Sequence, residues 1–382
     1  MYSIADYGGM IADCARMEAY TQALRAAVRP DSVVVDLGAG TGIFTLLACR
    51  FGARRVYAIE PDDAIEVARE IARASGCGDR IVFLQEFSTR ATLPERAGVI
   101  VSDLRGWLPF FELHLPAIAD ARERFLAPGG ALIPLRDTLW ATVVEAPELY
   151  AEVIGPWEQS APGLDMRAAR QMATNSLHKA SVAPGQMLLE PQEWFTLDYT
   201  KVVSSDAQGR LDWKVERGGV GHGLVLWFNS VLAEGVEFSN APGQPTQVYR
   251  RSFFPWPEPV ALESGDRVSV DLAATLVGED YVWRWGTSVR SREDAGRPKA
   301  SFQQSTFFGA PLSPGRLRRR AANHQPALDE DGQIVLFVLS LMDGAAPLEH
   351  IARRVAEHFP MRFPRWEAAL ERVAELSQKY SR

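Results

Sequence analysis

The run Val33-Val34-Val35-Asp36-Leu37-Gly38-Ala39-Gly40-Thr41-Gly42 constrains this chain more than any other feature, because a buried strand breaks directly into three alternating glycines. Glycine has no Cβ, so the backbone can turn through positive φ and lie against a ligand. The spacing predicts a helix over Ile43 to Phe51, whose unpaired N–H groups favour an anion at its start. A second strand, Val56 to Ile59, runs into Glu60, where a carboxylate can accept hydrogen bonds from a ribose diol. These elements make a βαβ unit with a nucleotide-like ligand at its glycine turn.

Glycine spacing separates two cofactor classes. A dinucleotide site reads G-x-G-x-x-G, with the third glycine bringing the helix close to the strand. Ile43 stands at that third position, so the sequence reads G-x-G-x-G instead. Preceded by Asp36 and followed by Glu60, this form resembles motif I of the class I S-adenosylmethionine-dependent methyltransferases. The resemblance implies that Asp36, Gly38, Gly40, Gly42 and Glu60 form the cofactor site. NAD is not expected to bind.

From Asp31 to about Pro134 the pattern alternates, predicting strands at Val33–Leu37, Val56–Glu60, Ile81–Leu84, Val99–Asp103 and Ala131–Ile133. Helices are expected between them, among them Asp62–Ala74 and Leu115–Phe125, giving a doubly wound α/β domain. Beyond Pro134 the period becomes two, as in Gly223 to Asn229 and Arg267 to Leu272, which predicts an antiparallel barrel or sandwich to about Ser291. Gly163 to Met172 reads as a helical insertion. A polar, basic segment holding Arg316, Arg318, Arg319 and Arg320 leads to a final helical unit near Pro326. The expected division is 1–135, 136–300, a linker at 301–325, and 326–382.

Composition excludes several classes. The net charge of −7 opposes general affinity for nucleic acid or an anionic membrane surface. No apolar run reaches membrane-spanning length and no secretory leader is visible, so a cytoplasmic protein is expected. Cys14, Cys49 and Cys77 form no paired spacing, and the six histidines show no ligand pattern, so neither disulfide nor metal is expected.

The N-terminal residues Tyr2, Tyr7, Met10, Asp13, Arg16 and Tyr20 are similar in register to the N-terminal helix of the protein arginine methyltransferases. That family joins a methyltransferase domain to a β-barrel and a dimerisation arm. The resemblance implies that Arg16 binds the cofactor's methionine carboxylate, a task suited to its planar fork. Ser102 to Glu112 falls where the family carries its double-glutamate loop, with Asp103 and Glu112 at the two acidic positions. By resemblance these two would hold an acceptor guanidinium, with Glu112 the better base because of its longer reach. Gly163 to Met166 resembles the arm, and Trp227 to Asn229 a barrel strand. Ser88, beyond the third strand, is a candidate contact for adenine. A homodimer is implied.

Three positions depart from the family pattern. Asp103 is one methylene shorter than Glu, Arg105 replaces a methionine, and Gln247-Val248-Tyr249 keeps only an aromatic of the barrel's T-H-W triplet. An Arg about 6 Å from a bound guanidinium would repel it by roughly 3 kcal/mol at an effective dielectric near 20. Arg105 could instead grip an acceptor carboxylate, point away, or neutralise Glu112. Three functions therefore stand: N-methylation of a guanidino or amino group in a protein, peptide or amino acid; O- or N-methylation of a carboxylated small metabolite; and a noncatalytic cofactor-binding protein that recruits a peptide. The last idea arises because Gly332 to Gly344 and Leu348 to Ala352 resemble the small PqqD-type winged-helix domain, which docks precursor peptides.

Overall fold

The computed structural model describes residues 2–158, 163–292 and 297–381. The chain forms two compact units, Met1–Pro311 and Leu312–Arg382.

In the first unit, helices α1 (Ile4–Ala12) and α2 (Cys14–Ala27) precede β1 (Val33–Leu37), α3 (Ile43–Arg50), β2 (Arg55–Ile59), α4 (Ala64–Ala74), β3 (Ile81–Leu84), β4 (Ala97–Ser102), α5 (His114–Arg124) and β5 (Leu126–Ile133). The strands pair in parallel in the order β3-β2-β1-β4-β5. Every residue of β1 is buried, as its unbroken apolar run requires of a central parallel strand. The order reverses between β1 and β4, so a crevice opens past their C-terminal ends. Open α/β sheets bind ligands at such switch points. Gly38 follows β1 and Asp103 follows β4, which brings both expected halves of the site to one edge.

Next come β6 (Arg136–Val144), α6 (Pro147–Glu158), α7 (Arg167–Thr174), β7 (His178–Ala180), β8 (Gln192–Asp198), β9 (Ala207–Lys214), β10 (Gly219–Ala233), β11 (Val236–Ser239), β12 (Arg251–Leu262), β13 (Arg267–Val277), β14 (Asp280–Arg290), β15 (Ala300–Ser305) and the short α8 (Thr306–Gly309). They make two antiparallel sheets, β7-β12-β10-β6-β8 with β11 on β10, and β15-β14-β13-β9. The β region therefore runs past the expected end at Ser291, because β15 pairs along β14. The arm helix begins at Arg167, not Gly163. Asp165 stops it there, its carboxylate accepting the N–H of Arg167 instead of entering the helix.

Phe110, in the loop after β4, inserts among Trp194, Phe195, Tyr281 and Trp283 of the β sheets. Edge-on aromatic packing of this kind fixes the acidic loop to the barrel.

The second unit contains α9 (Pro314–Arg319), α10 (Glu330–Ser340), α11 (Leu348–His358) and α12 (Trp366–Tyr380). Ile334, Val338, Ile351, Val355 and Val373 close its own small core. Among its described residues there is no strand to form a wing, so the unit is helical there.

Candidate active site

The glycine turn has the geometry that its sequence demands. Gly38, Gly40 and Gly42 have φ of 71°, 51° and 83°. A Cβ at Gly40 would stand 2.5 Å from the ring of Tyr7, and one at Gly42 would stand 2.7 Å from Ala68 Cβ. Asp36 holds the following helix: one carboxylate oxygen, Oδ2, accepts both the backbone N–H and the hydroxyl of Thr45, at 2.8 and 2.7 Å. Burial pushes the Asp36 carboxyl up to about 6 against these bonds, and its Oδ1 has no partner.

Glu60 closes the turn from the second strand. Its Oε2 accepts the N–H of Gly40 and its Oε1 that of Asp62, both at 2.9 Å. Burial raises its pKa despite the two bonds. Each oxygen keeps a second lone-pair position, so capacity for a diol remains. The ring of Tyr7, carried by α1, covers the turn. Burial and then Glu60 push its hydroxyl pKa upward, which locates it beside that carboxylate. The residues present thus fit an adenosyl cofactor: a turn that only glycine can make, a buried acid with spare acceptors, and a basic group nearby.

That basic group is Arg16. Asp13 caps α2 by accepting the N–H of Arg16, and its other oxygen accepts the N–H of Val248 from the β region. The Arg16 guanidinium lies 5.1 Å from the ring of Phe44, in the first turn of α3, and donates Nε to Asp103 at 2.6 Å. Its Nη1 goes to the Met10 carbonyl.

Ser88 lies apart from this cluster in its interactions. Its carbonyl is held by Arg124 at 2.6 Å, a contact that orders the turn after β3.

The acidic loop differs from its expected arrangement at Arg105. Its side chain is wholly buried, bonded through Nη1 to Asp137 at 2.8 and 3.0 Å and to Ser230 at 2.7 Å. Nη2 reaches the hydroxyl of Tyr20 at 2.6 Å, and Nε and Nη2 both reach Asp103 at 3.2 Å. Four rings surround it: Phe228, Phe238, Tyr249 and Tyr20. Burial alone would lower its pKa, but Asp137, Tyr20 and Asp103 more than offset this and raise it. Arg105 therefore has no N–H left to grip an acceptor carboxylate, and its charge is answered by Asp137. Both expected roles, repelling a guanidinium and binding a carboxylate, give way to a structural one.

Asp137 and Ser230 face each other across β6 and β10, so one register supplies both partners. Asp137 also accepts the hydroxyl of Tyr199 at 2.6 Å. His114 Nε2 lies 3.2 Å from that hydroxyl, and burial, then Arg105, depress its pKa to about 3, keeping the ring neutral. Nothing local marked Asp137 or Tyr199, since their partners lie tens of residues away.

Asp103 is nearly buried and bonded to Arg16, Arg105 and Tyr249. Burial pushes its pKa up, but Arg16 and Arg105 pull further and hold it below the usual carboxylate range. Glu112 is the opposite: an exposed carboxylate, on a residue with φ of 41°. A positive φ is uncommon for a non-glycine residue and costs about 1–3 kcal/mol where it is held. Burial and then the charges of Glu112 and Asp103 raise the Tyr2 pKa, so the N-terminal segment runs past this loop. The arrangement can seat a charged adenosyl ligand on one side and offer a solvent-facing carboxylate on the other.

Comparison with known proteins agrees with this geometry. Residues 136–277 match the arginine methyltransferase oligomerization subdomain, and residues 18–105 match the ribosomal protein L11 methyltransferase model. The chain is 29% identical over 247 residues to probable protein arginine N-methyltransferase 6 of Arabidopsis thaliana, covering 62% of this chain and 55% of that protein. It is 27% identical over 274 residues to protein arginine N-methyltransferase 1 of Oryza sativa subsp. indica, covering 70% of each. The alignment thus spans just over half of the first relative's length. In fold it is similar to the Trypanosoma brucei PRMT1 enzyme-prozyme complex with AdoHcy (TM-score 0.69, 20% identity, 78% of this chain and 96% of that one). It is equally similar to Arabidopsis thaliana protein arginine methyltransferase 10 (TM-score 0.69, 20% identity, 79% and 97%). Among the described residues no helix is long and apolar enough to cross a membrane, and no cluster of residues could hold a metal ion. In a family model, in its curated relatives and in fold, the chain is thus similar to the protein arginine methyltransferases, and solved neighbours of that family carry AdoHcy or SAH.

Proposed function

We propose that the chain methylates a guanidino or amino nitrogen, with arginine in a protein or peptide as the leading acceptor. The observation that carries this reading is the meeting, at the switch point of the sheet, of the Gly38–Gly42 turn and Glu60 with an acidic loop whose second acid, Glu112, faces solvent. When bound, S-adenosylmethionine supplies an activated sulfonium methyl, so the protein's contribution is positioning and proton removal.

Gly38, Gly40 and Gly42 let the backbone approach the adenosyl group, Glu60 accepts from its ribose hydroxyls, and Arg16 pairs with its carboxylate. Asp36 keeps the start of α3 in register through Thr45. Glu112 orients the acceptor nitrogen by a charge-assisted hydrogen bond and takes up its proton. Tyr2 and Tyr7, on or beside α1, shield the site from water. Ser88 is the weakest member of the set, and adenine contact there remains part of the proposal. A homodimer built through α6 and α7 fits the matched oligomerization subdomain. Leu336, Leu348 and Met361, exposed on the second unit, support peptide docking there as a subsidiary proposal.

Incubation of the full chain with labelled S-adenosylmethionine and arginine-containing peptides, followed by mass spectrometry, tests the reaction. Glu112→Gln should lower kcat by about a hundredfold or more, with affinity for S-adenosylhomocysteine retained. Undiminished methylation by that variant would refute the role of Glu112.

A further inference from the structure

Asp103 occupies the first acidic position of the loop, where the resemblance implies an acceptor ligand, yet its carboxylate is already full. A carboxylate offers about four acceptor positions. Oδ2 receives Arg16 Nε and the Tyr249 hydroxyl, each at 2.6 Å, while Oδ1 receives Nε and Nη2 of Arg105, each at 3.2 Å. An incoming guanidinium would have to displace one of these donors. Arg105 cannot withdraw, because Asp137, Ser230 and the Tyr20 hydroxyl hold its remaining N–H groups in a wholly buried position.

Arg16 is held differently. Asp103 and Tyr249 converge on its Nε, and Met10 takes Nη1, whereas none of the hydrogen bonds among the described residues uses Nη2. The guanidinium lies against Phe44, in the first turn of the helix that follows the glycine turn. Three elements meet on this one group: α2 carries Arg16, the end of β4 carries Asp103, and the loop before β12 carries Tyr249.

We propose that Asp103 is a positioning residue of the cofactor half of the site: with Tyr249 it fixes Arg16 for the cofactor's carboxylate, and acceptor binding falls to Glu112 alone. The inference rests on the reading of Arg16 given above. It makes this acidic loop asymmetric in duty, one carboxylate serving the cofactor and one the acceptor. It also gives Tyr249 a task, that of bringing the β region into contact with the cofactor site.

Two ligands separate the roles by calorimetry on the full chain. S-adenosylhomocysteine carries the amino-acid carboxylate; 5′-methylthioadenosine keeps the adenosyl thioether without it. Arg16→Ala should weaken the first more than tenfold and the second less than twofold. If it leaves both unchanged, the reading of Arg16 fails, whatever Asp103 does, and the inference falls with it. Asp103→Asn should weaken S-adenosylhomocysteine at least fivefold, leave methylthioadenosine within twofold, and raise the KM for S-adenosylmethionine and not that for the acceptor. Tyr249→Phe, the milder change, should move S-adenosylhomocysteine about threefold in the same direction, and it carries the test alone should Asp103→Asn not fold. Unchanged S-adenosylhomocysteine affinity in the folded variants, with a raised acceptor KM in Asp103→Asn, overturns the proposal. Equal losses for both ligands also overturn it.

Discussion

Arg105 has the surroundings of a cation that holds a fold together. Its charge is matched by Asp137 on one edge and shared with Asp103 on the other, and both the Arg105 and Asp137 side chains are wholly buried. Removing one member of such a pair leaves the other charge unanswered, which costs about 3–5 kcal/mol. Arg105→Met, although it restores the residue of the resembling family, is therefore expected to lower stability by that amount in urea unfolding. The double variant Arg105→Met/Asp137→Asn should recover much of the loss, because no buried charge is then stranded. Stability unchanged by the single variant would show that the pair contributes nothing. The arginine itself was legible in the sequence as a departure, but its role was not: Asp137 is 32 positions away and reaches it only because β6 and β10 place Asp137 opposite Ser230. A local reading sees the charge and misses its partner.

At the scale of the element, the strand, turn and helix around Gly38–Gly42 were fully readable, since the constraint is local: successive glycines, a buried strand before them and an acid after the next strand. The arm was less readable. Its helix begins four residues later than periodicity implied, because the Asp165 carboxylate takes an N–H that the helix would otherwise use. The same junction that was easiest to read also carries a pH dependence. Burial raises the Asp36 pKa to about 6 in the folded chain, against about 3.9 for an exposed Asp. Between these values the folded state binds more protons than the unfolded one, so stability falls as pH rises through that window and the full penalty is present above it. Asp36→Asn keeps an oxygen for Thr45 and abolishes the charge. It should be more stable than wild type at pH 7.5 by roughly 1–3 kcal/mol, and the advantage should vanish near pH 4. Denaturant midpoints measured across this range check the sign; an advantage that grows on acidification would contradict it.

At the scale of the whole molecule, every residue proposed for cofactor and acceptor lies in the first unit, and the segment that matches the oligomerization subdomain lies there too. Between α6 and α7 a cavity of about 610 Å³ is lined by Leu149, Val153, Trp157, Met172 and Lys179, among others. Trp157 is 37% exposed. Apolar side chains left open between two helices are a place where a second chain can pack, and a two-fold dimer is the commonest such association. A stable dimer of this kind buries on the order of 1,200–2,000 Å² in total, more than one tryptophan supplies, so the predicted interface takes in the whole α6–α7 arm. Sedimentation of the wild type at micromolar concentration should give a dimer. Deletion of Gly163 to Met172, which removes most of α7 and opens the face of α6, should give monomers that remain folded, because the two sheets keep their own core. Wild-type chain that sediments as a monomer, or a deletion that stays dimeric, would place the interface elsewhere or remove it.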